Sequence, residues 1–155
     1  MSLHTLRRTQ KLPAGIDTVW DFISDPKNLS VITPPSMGFV TLSGDERKMY
    51  PGQVIHYTVT PLLGLKMHWV TEITHVADKQ FFVDEQRFGP YKFWHHQHFL
   101  KEIPGGTEME DIVHYKLPFG MLGDLAQPLL VKPKLEEIFR FRNKKLIEIY
   151  GEFIG

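Results

Sequence analysis

The sequence predicts an α+β fold in which a strongly curved antiparallel sheet of seven strands wraps a long C-terminal helix, with two short helices after strand one. Two observations predict it. A strand-like opening and two short helical pieces are followed by strand-like runs from Gly38 to Leu117, and then by helical periodicity from Asp124 to Tyr150. Gly and Pro recur at the strand ends, and bulky residues occupy both strand faces, which favours a bent sheet over a flat one. A sheet bent around one helix leaves a hollow between them.

Leu3 to Leu12 reads as the first strand because Pro13 and Gly15 close it, and its partner is expected late in the chain. Ile16, Val19, Trp20 and Ile23 then fall at i, i+3, i+4 and i+7, with Asp17 placed to cap the helix and Asp25-Pro26 to end it. Asn28 to Thr33 reads as a second helical piece, stopped by Pro34-Pro35. Breaks at Ser43-Gly44-Asp45, Pro51-Gly52, Leu63-Gly64, Ala77-Asp78, Gly89-Pro90 and Pro104-Gly105-Gly106 divide the next stretch into six strands of hairpin spacing. In the closing helix Leu135, Ile138 or Phe139, Arg142, Leu146, Ile149 and Phe153 keep a 3-or-4 spacing. Pro128 and Pro133 should break or kink its front, and Glu136 with Arg140 and Lys144 with Glu148 should pair on its wet side. Pro118 to Gly123 reads as a loop climbing from the last strand to that helix, where it could gate access.

The length, 155 residues, fits one domain over 1–155. An apolar share of 42% supports a sizeable core. Lys plus Arg and Asp plus Glu balance at 18 each, so no basic excess points to nucleic acid or to a membrane surface. With no Cys, disulfides, thiolate nucleophiles, iron–sulfur clusters and Cys-based zinc sites are excluded. No apolar run is long enough to span a bilayer and the start lacks a secretory pattern, so a cytoplasmic protein without an integral membrane segment is expected. Gly-x-Ser-x-Gly, Gly-x-Gly-x-x-Gly and phosphate-loop patterns are absent, and no cofactor is expected.

Strand alternation sorts the side chains by face. With the last hairpin turning at Pro104-Gly105-Gly106, Leu100 pairs with Met109, so that His98 faces Asp111, His96 faces Val113 and Trp94 faces Tyr115. Folding back at Gly89-Pro90 sets Phe82, Asp84 and Gln86 beside them, and one hairpin earlier Trp69, Thr71, Ile73 and His75 join the same side. Lys92, Lys101, Glu108, Glu110, His114 and Lys116 fall on the opposite face with Phe93 and Phe99.

The inner face therefore combines large aromatics with Asp84, Gln86, His96, His98, Asp111 and Tyr115. Such polar groups must satisfy one another or hold something. Pairing Asp84 with His96 and Asp111 with His98 would raise both imidazole pKa values. The group can be read as a self-satisfied network on the floor of the core, or as contacts that orient a ligand together with Trp69, Phe82, Trp94 and, from the closing helix, Phe139. His96 and His98 at i, i+2 with Asp84 also have a spacing compatible with a metal, though eight His make such a pair expected by chance and no metal is assigned. His96, His98 and Asp111 are the candidates for acid–base catalysis. His56, His68 and His75 read as exposed or satisfied within the core.

The run Phe82-Val83-Asp84-Glu85-Gln86, Gly89-Pro90-Tyr91, Trp94, His96 and His98, followed by Gly106-Thr107, Asp111, Tyr115 and Leu117-Pro118-Phe119-Gly120, resembles the ligand-binding SRPBCC domain proteins of bacteria. So do Trp20-Asp21-Phe22, Asn28-Leu29, Ile32-Thr33-Pro34 and Ile138 to Arg142, so the likeness covers nearly the whole chain. That group lies in the wider helix-grip superfamily with START lipid-transfer domains, pollen-allergen-like proteins and polyketide cyclases or dehydrases. The resemblance implies a seven-stranded sheet around a long C-terminal helix, with a hydrophobic cavity between them. It implies no reaction and brings no catalytic residues, because fold does not select among carriers, cyclases and hydroxylase subunits. Three functions follow as expectations: binding of a small hydrophobic or amphipathic molecule, a cyclase- or dehydrase-like enzyme using a His–Asp pair, and a regulatory or partner-binding domain with a filled core.

Overall fold

The computed structural model describes residues 2–61 and 63–155. Strand β1 (His4–Leu12) leads into helix α1 (Ile16–Ile23), followed by strands β2 (Val40–Ser43), β3 (Gln53–Val59), β4 (Met67–Ala77), β5 (Phe81–Phe88), β6 (Phe93–Ile103) and β7 (Gly106–Lys116). A short helix α2 (Met121–Ala126), a π turn over Gln127–Val131 and helix α3 (Lys132–Tyr150) complete the order. The seven strands form one antiparallel sheet, β1-β7-β6-β5-β4-β3-β2, in which the first strand pairs with the last as expected. The sequence-derived register of the β6–β7 hairpin holds: Leu100 opposes Met109, His98 opposes Asp111 and Trp94 opposes Tyr115. Its turn has Gly105 at φ 82°, a left-handed value that glycine adopts without a Cβ penalty.

Several local expectations are corrected. The second helical piece is two 3-10 turns, Pro26–Leu29 and Pro35–Met37, because each begins on a proline whose fixed φ suits a helix start. Asp25 caps the first of them by accepting from the Lys27 amide at 3.0 Å. Gly15 occupies the N-cap of α1 without a side-chain bond, and Asp17 lies inside its first turn, where an acidic group suits the helix dipole. The segment expected as a loop after Gly120 is helical, and Pro128 interrupts it with the π turn before α3. On α3, Glu136 pairs with Arg8 of β1 and Glu148 with Lys145 at 2.5 Å, in place of the expected i, i+4 contacts.

One register shift matters for the site. Ile73 opposes Asp84 but His75 opposes Val83, so Thr74 is an extra residue on β4. Beyond it the strand's faces exchange, and His75 is exposed instead of lining the inner side.

The buried apolar residues form two clusters. One gathers Trp20 and Ile23 of α1 with Ile55, Ile73, Phe82, Leu100 and Leu146. The other gathers Trp69, Trp94, Val113 and Tyr115 with Leu135 and Phe139 of α3. Between sheet and helix, at the junction of the two, lies the site.

Candidate functional site

A cavity of about 150 Å³ lies against the concave face of the sheet. Ile55, Tyr57 and Val59 of β3, Trp69, Thr71 and Ile73 of β4, Phe82 and Asp84 of β5 and Trp94, His96 and His98 of β6 form its floor and walls. Leu135, Ile138, Phe139 and Arg142 of α3 roof it. The alternation of strand side chains places these floor residues, since each strand sends every second residue inward.

The polar wall is one compact cluster. His98 Nε2 lies 2.7 Å from Asp84 Oδ2 and its Nδ1 lies 2.9 Å from Asp111 Oδ1. His96 Nε2 lies 3.0 Å from Asp111 Oδ1 and its Nδ1 lies 3.5 Å from Asp84 Oδ2. Each imidazole thus reaches both carboxylates, where the sequence reading gave each one partner. Trp94 Nε1 donates to Asp84 Oδ1 at 3.3 Å, and Phe82 stacks on His98 with ring centroids 4.0 Å apart. From α3, Arg142 donates to Asp111 Oδ1 at 2.9 Å.

This arrangement shifts the pKa values of all four groups. Burial alone would raise the Asp111 pKa, but the Arg142 guanidinium and the two imidazoles hold it well below the usual carboxylate range. Burial likewise opposes ionisation of Asp84, and the two imidazoles outweigh it and lower its pKa. For His98, burial favours the neutral ring, yet hydrogen bonds to Asp111 and Asp84 raise its pKa. His96 goes the other way: burial and the neighbouring His98 lower its pKa despite the carboxylates. The expectation that both histidines are raised is therefore corrected. Two carboxylates face Arg142 and the two rings, of which His98 holds its proton more tightly than a free imidazole and His96 less tightly. Buried charges persist when they are paired in this way.

Of the residues singled out in the sequence, Trp69, Phe82, Asp84, Trp94, His96, His98 and Phe139 meet at the cavity. Asp111 is brought into the cluster behind the two imidazoles but does not line the cavity. Gln86 does not line it either: its amide donates to the Tyr91 carbonyl at 2.6 Å and accepts from the Tyr91 amide at 3.1 Å, holding the turn before β6. Tyr115 also lies outside the lining, its hydroxyl accepting from Gln127 Nε2 at 2.9 Å. Among the lining residues that sequence reasoning missed, two carry polar groups near the cluster, Arg142 and Tyr57. Arg142 had a signal, a cation on the apolar stripe of the closing helix. Tyr57 lies on β3, one hairpin beyond the strands that the glycine turns order by counting; its hydroxyl lies 3.0 Å from Thr71 Oγ1, which also accepts from Trp69 Nε1 at 3.1 Å. Burial raises the pKa of Tyr57, so the hydroxyl stays protonated.

Asp84, His96 and His98 each offer a metal-ligating atom within 4.8 Å of one another. A divalent ion there would have to replace the contact between His98 and Asp84, and would lie close to the Arg142 guanidinium on Asp111. The cation requirement of the two carboxylates is already met by protein groups. Chemically, the cluster can donate and accept hydrogen bonds at one edge of an otherwise apolar hollow, and His96 can accept a proton there.

Solved structures confirm the fold. Protein CV1439 from Chromobacterium violaceum superposes with a TM-score of 0.72 at 14% identity, over 96% of this chain and 99% of that one. A START superfamily protein from Mycobacterium smegmatis gives 0.70 at 13% identity, over 94% and 99%. TTHA0849 from Thermus thermophilus gives 0.71 at 14% identity, also over 94% and 99%. At such identities the likeness concerns the fold alone. No curated protein matches the sequence. The family described as polyketide cyclase / dehydrase and lipid transport matches residues 12–136. With its START-like, helix-grip architecture and a match over most of its length, the chain belongs to that family.

Proposed function

We propose that the chain, acting as one domain, binds a small, mainly apolar molecule between the sheet and α3, with one polar group of the guest turned toward Asp84, His96 and His98. The observation that carries this reading is the cavity itself, apolar on most sides with its carboxylate and imidazole groups gathered in one cluster. Pockets that bind small molecules share that composition. A hollow of about 150 Å³ accommodates a guest on the scale of one aromatic ring. Apolar burial would supply most of the affinity, at about 25 cal/mol per Å² removed from water. A network that satisfies its own charges suits this role, because its free edges can orient a guest without being needed to hold the fold. The filled core of a purely partner-binding domain fits less well with such a hollow.

Solvent extraction of purified protein followed by mass spectrometry, with a thermal-shift panel of phenols, aromatic acids and short amphiphiles, tests the proposal. A raised Tm with single-ring compounds is expected. No retained molecule and no shift with any compound would overturn it.

Proton transfer on a bound carbonyl compound is the second reading, favoured by His96, an imidazole on the cavity wall with a lowered pKa, backed by Asp111. Turnover that survives His96→Gln with the fold intact would remove it.

A further inference from the structure

Strands β3, β5 and β7 end, and β4 and β6 begin, at the same edge of the sheet. A second cleft, of about 290 Å³, opens there between the β3–β4 connection and α2. It shares Pro61, Tyr91 and Lys134 with the inner cavity, so it forms the mouth of the hollow.

The short helix at this mouth is arranged inside out. Gly123 and Ala126 face the cleft, whereas Met121, Leu122, Leu125 and Leu129 are 80%, 73%, 70% and 77% exposed. Packing fixes that orientation, since a Cβ on Gly123 would lie 2.1 Å from the Pro118 carbonyl oxygen. Across the cleft Leu63 and Leu65 are also exposed. Isolated surface leucines need no explanation, but a set gathered on both lips of a cavity marks an interaction surface.

Charge identifies the partner. The lips of the cleft, segments 60–67 and 121–134, carry Lys66, Lys132 and Lys134 against one acid, Asp124, in a chain balanced at 18 of each sign. Asp124 is engaged by the Ser2 amide and His4, and Lys134 by Glu137. The lysines come from separate segments, so no basic block is visible in the sequence and only the fold collects them. Exposed leucines flanked by Lys66 and Lys132 match an anionic bilayer surface, with apolar side chains among the acyl chains and ammonium groups at the headgroups. A second copy of this chain fits poorly, because a two-fold contact through the patch would set the same lysines against one another.

We propose that this edge of the molecule docks reversibly on anionic lipid, through Leu122, Leu125 and Leu129 with Leu63 and Leu65, with Lys66 and Lys132 at the headgroups. Docking in this way turns the mouth of the cavity toward the bilayer.

Co-sedimentation with phosphatidylcholine vesicles, with and without phosphatidylglycerol, tests it at low and high salt. The protein should pellet with the anionic vesicles at least about tenfold more than with phosphatidylcholine alone, and salt should weaken the binding. Leu125→Asp combined with Leu129→Asp should abolish pelleting at unchanged Tm, since both side chains are exposed, and Lys66→Glu with Lys132→Glu should reduce it. Equal behaviour with both vesicle types, pelleting that survives the Leu125→Asp and Leu129→Asp pair, or a dimer in solution that this pair dissociates would each overturn the proposal. Thermal shifts with single-ring compounds on the same variant separate its failure from that of the inner site.

Discussion

The rings of His96 and His98 face each other with centroids 3.6 Å apart, tilted by 35°. Two unit charges about 4 Å apart repel by ~4 kcal/mol at an effective dielectric near 20, so one protonated ring disfavours protonation of the other. The two histidines should therefore take up protons in separate steps, His98 above the usual value of 6.5 and His96 below it. Nitrogen-detected NMR of the imidazoles across the pH range checks this, and coincident titration would contradict it.

The same shifts set the dependence of stability on pH. His98 contributes stability that is complete below 6.5 and lost as pH rises through its folded pKa. His96, shifted down, contributes stability that is present above 6.5 and lost as pH falls through its folded pKa. Asp84 and Asp111 add stability present above 3.8 and lost at more acidic pH. Denaturant unfolding should accordingly show maximal stability near the ordinary histidine pKa and a steep acid limb.

Arg142 is the helix's counter-charge to the sheet. Replacing it by Met leaves Asp111 buried beside the imidazoles without its guanidinium, and should cost roughly 3–5 kcal/mol in urea unfolding. The Asp111 pKa should rise toward the normal range in the same variant, a change that carbonyl-detected NMR reads directly.

How much of this was legible in the sequence depended on whether a local signal fixed the geometry. Pro104-Gly105 pinned one hairpin, and from it the inward direction of Trp94, His96, His98 and Asp111 followed by counting. Arg142 could be placed on the apolar stripe of the closing helix, but nothing local says which strand residue it meets 31 positions away. Gln86 kept its face, yet its amide turned to the nearby Tyr91 backbone, a choice that alternation does not encode. The start of α2 escaped because Gly120 and Gly123 read as loop residues, whereas Gly123 lets the helix pack closely on Pro118; the break at Pro128 was expected, though not its form as a π turn.

Phe139 roofs the hollow with its ring 5.8 Å from that of His96. Phe139→Ala should lower stability by about 3–5 kcal/mol and enlarge the cavity. A thermal-shift comparison should then find two-ring aromatics stabilising the variant more than they stabilise the parent.

Gln86→Ala removes both bonds to Tyr91 and should cost about 1–3 kcal/mol, since the Tyr91 amide loses its acceptor. Single-ring compounds should still raise Tm in this variant. Loss of that response with the fold intact would put Gln86 in contact with the guest.

The supernumerary Thr74 has a chemical effect on the hollow as well as a geometric one. By rotating the distal part of its strand half a step, it sends a third imidazole into bulk solvent, and aliphatic Val76 packs against the inner core instead. Were Thr74 paired regularly instead of bulged, His75 would turn indoors and crowd the buried carboxylates and imidazoles; the bulge thus keeps the deep end greasy.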